Sequence, residues 1–195
     1  MRILYNISIY IYLIGIYITS FFNIKAKLWI NGRKNLFKKL EENFINTDNV
    51  VWFHCASLGE FQQAKPIIKE YKLKYPHHNI LLTFFSPSGY TNYKEYEEVK
   101  WMFYMPIDTL FNATNFIKTV KPKKAIFIKS EFWFNYISVC KQNNIPFYCV
   151  NTTIRKDHIF CKFKWFSIQL RNVDRFFVLD KKSEKSLRKI GCTNI

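Results

Sequence analysis

The sequence predicts an α/β fold of the Rossmann-like class, a parallel sheet flanked by helices, preceded by an apolar amino-terminal helix. Two observations predict the sheet. Short β-branched and aromatic runs alternate with longer helical patterns from Val50 onward, and the first run leads through a glycine-containing loop into a helix. The uncharged stretch from Ile3 to Phe22 predicts the preceding helix. At 195 residues the chain can hold one domain and an anchor.

Hydrophobic content, net charge and cysteine spacing indicate what class of protein this is and what kind of partner it binds. Hydrophobic residues make up 49% of the chain and aromatic residues 19%, which argues against intrinsic disorder. The formal net charge of +16 predicts attraction to nucleic acid, an acidic membrane surface or a phosphorylated substrate. The five cysteines are widely spaced and form no CxxC pair, so we expect reduced, mostly buried thiols in a cytoplasmic domain and no metal site.

The uncharged amino-terminal stretch is a candidate membrane anchor, assigned to residues 1–24. About 20 helical residues match the roughly 30 Å hydrocarbon core of a bilayer. A signal peptide is one alternative, because Arg2 gives a minimal positive start, but no small-x-small cleavage site follows. Asn6, Ser8 and several tyrosines leave open a helix that lies along the membrane interface instead of crossing it.

Residues 25–49 are predicted to form a basic linker and amphipathic helix. The basic residues are Lys25, Lys27, Arg33, Lys34, Lys38 and Lys39, and the apolar positions are Leu28, Trp29, Leu36 and Leu40. By the positive-inside rule, these charges place the rest of the chain on the cytoplasmic side. An anionic membrane surface is the predicted partner of this segment, and an ordinary solvated surface is the alternative.

Residues 50–195 carry the alternating strands and helices. The predicted strands are 50–55, 79–84, 101–105, 124–128, 146–150 and 175–179. The predicted helices are 60–74, 88–97, 109–120, 131–143, 159–172 and 181–190. No G-x-G-x-x-G motif or P-loop occurs, so the sequence does not support a bound dinucleotide or nucleoside triphosphate.

Polar residues that directly follow the predicted strands are the site candidates, because open parallel sheets bind ligands at the carboxyl ends of their strands. Ser57 is predicted to cap the first helix as a side-chain acceptor, with Glu60 three residues later in a capping-box arrangement. Gly59 lets the backbone come close to a ligand. Helix capping alone is the alternative interpretation of Ser57 and Glu60.

The loops after the second and third strands add further candidates. Ser86, Ser88 and Gly89 open a helix whose free N–H groups can hold an anionic ligand, although for this loop alone an ordinary serine cap with a proline turn is the favoured interpretation. Asp108 follows the third strand and is predicted to cap the next helix.

The fourth strand is followed by Lys129 and Glu131, and the fifth by Arg155. Glu60 and Glu131 are predicted to converge on one cleft, an arrangement that acid/base chemistry can use. Arg155 could bind a phosphate or carboxylate in a forked geometry, with surface solvation as the alternative. His54 is interpreted as a core or near-site residue and not as a base.

These motifs resemble the 3-deoxy-D-manno-octulosonic acid (Kdo) transferases. The segments that carry the resemblance, in the order and approximate spacing of the family, are Trp52–Glu60 (WFHCASLGE), Thr83–Tyr90, Met105–Asp108, Lys129–Asn135 and Asn151–Lys156. The family form of the fourth is Glu-x-Glu-Leu-Trp-Pro-Asn. This chain has Lys129 for the first glutamate and Phe134 for the proline, which makes Lys129 a candidate phosphate contact.

The resemblance implies that residues 50–195 are the amino-terminal acceptor-binding domain of a GT-B glycosyltransferase. It implies inverting transfer of Kdo from CMP-Kdo to the lipid A precursor, lipid IVA, in lipopolysaccharide synthesis, with Glu60 as general base and no metal or cofactor. Glu131 is the second catalytic candidate. The acceptor-binding candidates are Ser57, Gly59, Ser86, Ser88, Gly89, Lys129 and Arg155. We expect the donor domain to be absent and the chain alone to be inactive.

The expected partners are therefore lipid IVA, CMP-Kdo through the donor domain, and the anionic cytoplasmic face of the inner membrane. A non-catalytic, basic, membrane-associated binding module is the alternative function. Nucleic acid is not expected, because no nucleic-acid-binding motif occurs and the positive charge is concentrated beside the apolar anchor.

Overall fold

A six-stranded parallel sheet forms the centre of the protein. The computed structural model describes residues 1–92, 95–155 and 159–195. The strands are β1 Val50–Cys55, β2 Asn79–Phe84, β3 Trp101–Tyr104, β4 Lys124–Ile128, β5 Phe147–Thr152 and β6 Arg175–Val178. Their order, β3-β2-β1-β4-β5-β6, confirms the predicted Rossmann-like class.

The sheet reverses its strand order between β1 and β4. The chain adds β2 and β3 on one side of β1, then returns to build β4, β5 and β6 on the other. His54 pairs with Phe127 in the register of β1 and β4, so the carboxyl ends of these two strands are neighbours. This is the position at which open α/β sheets place a ligand.

Helices surround the sheet and precede it. They are α1 Arg2–Thr19, α2 Ile24–Asn31, α3 Leu36–Asn43, α4 Leu58–Lys74, α5 Pro87–Asn92, α6 Leu110–Val120, α7 Phe134–Gln142, α8 Ile159–Lys162, α9 Lys164–Leu170 and α10 Lys181–Lys189. Three predictions of helix extent were wrong. Residues 95–97 are not helical, 93 and 94 lie outside the described residues, and 159–172 are divided by the extended backbone of Phe163. Residues 131–133 are not helical, so α7 begins only at Phe134.

The core lies on both faces of β1, where all six residues are buried. Such a continuous apolar run is typical of a parallel strand that is covered by helices on both sides. Trp52 donates from Nε1 to Thr83 Oγ1 at 2.7 Å, and His54 Nδ1 lies 2.9 Å from the same oxygen. Burial lowers the pKa of His54 to about 3, so this neutral imidazole belongs to the core.

The cysteines are free thiols, and four of the five are buried, as expected. The buried thiols are Cys55, Cys140, Cys149 and Cys192. Burial raises the pKa of Cys140 and Cys149, which keeps both thiols protonated and unreactive at neutral pH.

The amino-terminal helix α1 lies against the domain along its length. Near its start, the Tyr5 hydroxyl donates to Asp108 Oδ2 at 2.5 Å, and Asn135 Nδ2 donates to Asn6 Oδ1 at 3.0 Å. Further along, the Tyr12 ring stacks on Phe85 with centroids 6.3 Å apart. The helix ends at Thr19, so it is shorter than the predicted 1–24 segment.

Asp108 caps a different helix from the one predicted. Thr109 is the N-cap of α6, and its side chain accepts from the Asn112 N–H at 3.2 Å. The Asp108 carboxylate instead accepts from the N–H groups of Asn135 and Tyr136, both at 3.1 Å, at the start of α7. Together with the bond from Tyr5, these contacts make Asp108 a buried junction between α1 and α7.

Arg33 is turned inward and is not part of a basic membrane-facing surface. Its guanidinium carbon lies 3.6 Å from the centroid of the Trp29 ring. Its Nη2 and Nε donate to the carbonyl oxygens of Phe85 and Met105 at 2.9 and 3.0 Å. Arg33 therefore joins α2 to the segments that follow β2 and β3, while the lysines of 25–39 remain exposed.

Candidate active site

Glu60 lies in the first turn of α4, directly beyond the carboxyl end of β1. Ser57 is the N-cap residue by backbone conformation, but its side chain accepts no bond from a backbone N–H of the helix. The Ser57 hydroxyl instead donates to the Glu60 carboxylate. The predicted capping role of the Ser57 side chain is therefore wrong, since its hydroxyl holds the candidate base.

Lys129 forms an ion pair with Glu60, with 3.2 Å between Nζ and Oε1. Burial favours the neutral form of Glu60, but the Ser57 hydroxyl, the Lys129 ammonium and the Glu60 N–H outweigh it and lower the pKa. The Glu60 side chain is only 13% exposed. It is therefore an ionised carboxylate, able to accept a proton, in a largely enclosed position.

The backbone of Lys129 is left-handed, with φ of 65°. A non-glycine residue in this region is uncommon and costs about 1 kcal/mol or more. The Lys129 N–H donates to the Val150 carbonyl at 2.7 Å, which fixes this turn to β5. From this bend directly after β4, the Lys129 ammonium reaches Glu60.

Glu131 lies at the same edge of the sheet, in the non-helical segment before α7. Its Oε2 accepts from Trp133 Nε1 at 3.0 Å. Burial and the charge of Glu60 raise the pKa of Glu131 to about 7, against the opposing effects of Trp133 and Lys129. The two carboxyl groups therefore differ in protonation at neutral pH: Glu60 is ionised, whereas Glu131 holds its proton part of the time.

The raised pKa of Glu131 predicts a loss of stability with rising pH. The folded protein binds the Glu131 proton more tightly than the unfolded chain does, so this proton adds to the free energy of unfolding. That contribution is complete below the ordinary pKa of 4.5 and is lost as the pH rises to about 7. In urea unfolding, the free energy of unfolding should fall less between these two pH values in Glu131→Gln than in the parent, by on the order of 2 kcal/mol. The exposed Glu70→Gln is the control, and an unchanged decline in Glu131→Gln would contradict the shift.

The segment after β2 joins the same edge through the backbone. The Ser86 N–H donates to the Ala56 carbonyl at 2.7 Å, and the hydroxyls of Ser86 and Ser88 lie 3.1 Å apart. Gly89 is buried, and a Cβ there would lie 2.1 Å from the Phe84 ring, so close packing accounts for this glycine. At Gly59, by contrast, a Cβ would meet only the Ser57 hydroxyl at 3.8 Å, so its backbone faces open space.

A cavity of about 1460 Å³ extends from Glu131 across the ends of β4, β5 and β6. Arg155 is exposed and lines it, together with Lys129. Sequence reasoning missed the contribution of α10, which adds Lys181, Lys182, Lys185 and Ser183. The available signal was the lysine-rich run that starts just after β6. Trp133 was also missed as the hydrogen-bond donor to Glu131, although the quoted motif contains it.

The described residues include no group of three or more His, Cys, Asp or Glu side chains that could hold a metal ion. The site instead consists of two unlike carboxylates, a lysine between strand ends and a basic cavity. Such a set can accept a proton from a bound hydroxyl and can hold an anionic ligand.

Comparison with known proteins gives a family match over most of the chain. Residues 31–195 match the family model of the 3-deoxy-D-manno-octulosonic-acid transferases (kdotransferases). The 3-deoxy-D-manno-octulosonic acid transferase of Haemophilus influenzae is 33% identical over 117 residues, 58% of this chain and 27% of that protein. The protein of the same name from Aquifex aeolicus is 38% identical over 113 residues, 55% of this chain and 30% of that protein.

The chain thus aligns with less than a third of the length of each of these relatives. A crystal structure of UDP-N-acetylglucosamine 2-epimerase superposes with a TM-score of 0.54 and 15% sequence identity. The superposition covers 75% of this chain and 46% of that one, and it shows likeness of fold alone.

Proposed function

Because the chain belongs to the 3-deoxy-D-manno-octulosonic acid (Kdo) transferase family, we propose that it is the acceptor-binding part of an enzyme that adds Kdo to the lipid A precursor. The proposed donor is CMP-Kdo, held by a donor domain, and the proposed acceptor is lipid IVA. The observation that carries the proposal is the enclosed, ionised carboxylate of Glu60 at the sheet edge, paired with Lys129 and close to the more basic carboxylate of Glu131.

In the proposed reaction, Glu60 is the general base. It takes the proton of an acceptor hydroxyl while the oxygen of that hydroxyl bonds to the anomeric carbon of Kdo. The bond from that carbon to the phosphate oxygen breaks, and CMP leaves with the bonding electrons on the opposite face, which inverts the configuration. The positive end of α4 and the Ser57 hydroxyl support this role, since both keep the carboxylate ionised and oriented.

Lys129 positions this base, and Glu131 is a second carboxyl group at the same edge of the sheet. The ammonium of Lys129 would hold the Glu60 carboxylate until an acceptor enters and would then be available to the acceptor itself. Glu131 can share a proton near neutral pH, because Trp133 fixes one of its oxygens and burial raises its pKa. We propose that Glu131 receives or holds the transferred proton after Glu60, which returns the base to its ionised form.

We further propose that α1 attaches the domain to the cytoplasmic face of the inner membrane. Its composition is compatible with a membrane span, with a mean hydropathy of 1.3 over 18 residues. A stripe facing the domain is half-buried, and the remaining apolar side chains point outward. The exposed ones within α1 are Ile3, Leu4, Ile7, Tyr10, Ile11, Tyr12, Ile14, Tyr17 and Ile18, and Phe21 and Phe22 just beyond the helix are exposed too.

The contacts of α1 favour a helix that lies in the membrane plane over one that crosses it. A crossing helix would take Tyr5 and Asn6 into hydrocarbon and would either break their bonds to Asp108 and Asn135 or carry those polar groups with it. A helix in the plane keeps these bonds and still buries the outer apolar side chains among the lipid chains. The candidate site, at the same edge of the sheet, would then face the headgroup region.

The experiment that tests the proposed function is a transfer assay. This chain, joined to the donor-binding part of the Aquifex aeolicus relative, is mixed with CMP-Kdo and lipid IVA, and products are identified by mass spectrometry. We expect lipid carrying Kdo. A folded fusion that binds lipid IVA but forms no product would favour the alternative function, a non-catalytic membrane-associated binding module.

A further inference from the structure

The cavity at the ends of β4, β5 and β6 carries an excess of positive charge. Five cationic side chains line it, against the carboxylates of Glu131 and Asp180. The cationic residues are Lys129, Arg155, Lys181, Lys182 and Lys185. Like charges brought together in a concave surface raise the local potential and attract an anion.

Most of these cations have no counter-ion within the described part of the chain. Lys129 pairs with Glu60 at 3.2 Å, but no ion pair involves Arg155, Lys181, Lys182 or Lys185 among the described residues. Both oxygens of Asp180 are used in the cap of α10: Oδ1 accepts from the Ser183 N–H at 2.8 Å and Oδ2 from the Ser183 hydroxyl at 3.0 Å.

Hydrogen bonds connect the backbone segments that carry these cations, namely the loops after β4 and β5 and the start of α10. Ser130 Oγ donates to the Thr153 carbonyl at 2.5 Å, which joins the β4 and β5 loops. The Ile154 N–H donates to the buried Ser183 Oγ at 2.9 Å, which joins the β5 loop to α10. A bound anion would thus meet cations on a preformed surface and would lose less affinity to ordering of the loops.

We propose that this cavity is a phosphate-binding site in which Lys182 and Lys185 of α10 act with Arg155 on a phosphate group of a substrate. The identity of that substrate rests on the proposed function, and two sources fit the chemistry. One is a phosphomonoester on the lipid acceptor, and the other is the phosphate of the donor nucleotide. Charge-assisted contacts from Lys182 and Lys185, two exposed lysines, would together contribute at least about tenfold to the affinity for this phosphate group.

The test measures binding by the chain itself and does not need sugar transfer. Calorimetry with inorganic phosphate and with CMP is combined with sedimentation of vesicles that contain phosphatidic acid, a phosphomonoester lipid, or phosphatidylglycerol. The double variant Lys182→Gln/Lys185→Gln is compared with Lys123→Gln/Lys189→Gln. The control replaces two exposed lysines outside the cavity. Lys123 lies just before β4, at the opposite end of that strand, and Lys189 lies in the last turn of α10.

We expect the first pair to weaken phosphate binding at least about tenfold and the control pair to have little effect. Stronger binding of CMP would identify the donor as the source of the phosphate. A preference for phosphatidic acid over phosphatidylglycerol that only the first pair abolishes would identify the acceptor.

Equal losses of phosphate affinity in the two double variants would overturn the inference, because net charge alone would then explain binding. No binding of any probe by the folded chain would also overturn it, because the cavity would then hold no phosphate site. Thermal unfolding of both pairs checks the fold. If the fused enzyme still transfers Kdo in that case, the proposed function stands and only the phosphate site is lost.

Discussion

Glu60→Gln is expected to lower the rate of Kdo transfer by about two to four orders of magnitude, the usual contribution of a general base. Glutamine has nearly the same shape and can still accept the bond from Ser57, but it cannot take a proton from the acceptor hydroxyl. The loss should appear in kcat, with little change in the affinity for lipid IVA. The measurement uses the fusion with a donor-binding part and follows product by mass spectrometry.

Glu70→Gln is the matched control, because Glu70 is an exposed glutamate further along the same helix. It should transfer Kdo at the unchanged rate. Undiminished transfer by Glu60→Gln would remove Glu60 from the role of base, and Glu131 would then be the remaining carboxylate at this edge. Equal losses in both variants would point to instability of α4.

The second large effect is expected at the outer face of α1. In Ile7→Lys/Ile14→Lys, each lysine replaces an exposed isoleucine that would be buried among lipid chains, so binding to anionic vesicles should fall by at least about a hundredfold. Vesicle sedimentation measures the change. The control is Leu73→Lys/Phe177→Lys, which adds the same charge at two exposed apolar residues outside α1 and outside residues 25–49, and it should bind no more weakly than the parent.

The same helix allows a direct test of its orientation. Spin labels at positions 3, 11 and 18 should all report one shallow depth in the membrane if α1 lies in its plane. A depth maximum at position 11 would instead show that the helix crosses the bilayer, and the interfacial arrangement would be wrong. Retained vesicle binding in Ile7→Lys/Ile14→Lys would remove α1 as the attachment element altogether.

The sequence was sufficient for the sheet because each strand is a short local signal. The runs 50–55, 79–84 and 124–128 were predicted with the bounds that the structure gives. Apolar strands bounded by turn residues need no knowledge of their partners, and the alternation with helices fixes a parallel sheet. The meeting of Glu60 and Glu131 at one edge followed from this topology alone.

Side-chain partners that are distant in sequence could not be predicted in the same way. Asp108 was assigned to the helix beside it, but its N–H donors come from Asn135 and Tyr136. Arg33 was grouped with the lysines that were predicted to face a membrane, yet aromatic rings and carbonyl groups around it hold it inward. A local sequence pattern shows where a polar residue lies along an element, whereas the fold decides which of several polar groups forms its hydrogen bonds.

Lys129 shows both the value and the limit of sequence comparison. The departure from the family glutamate was visible in the sequence and led to a predicted phosphate contact, which stays a prediction. The structure places the ammonium on Glu60, a contact that requires the left-handed turn after β4. No periodicity or propensity signals such a turn at a lysine, because left-handed backbone usually marks glycine or asparagine.

The buried junction at Asp108 has a practical consequence for preparing this protein. Apolar leader segments are often deleted so that a domain can be handled without detergent. Here that deletion would remove the Tyr5 partner of a carboxylate and uncover the ring of Phe134, which lies 5.3 Å from the Tyr5 ring. A detergent-free version is better obtained by replacing the exposed apolar residues of the first helix with polar ones, while the half-buried stripe that faces the domain is left unchanged.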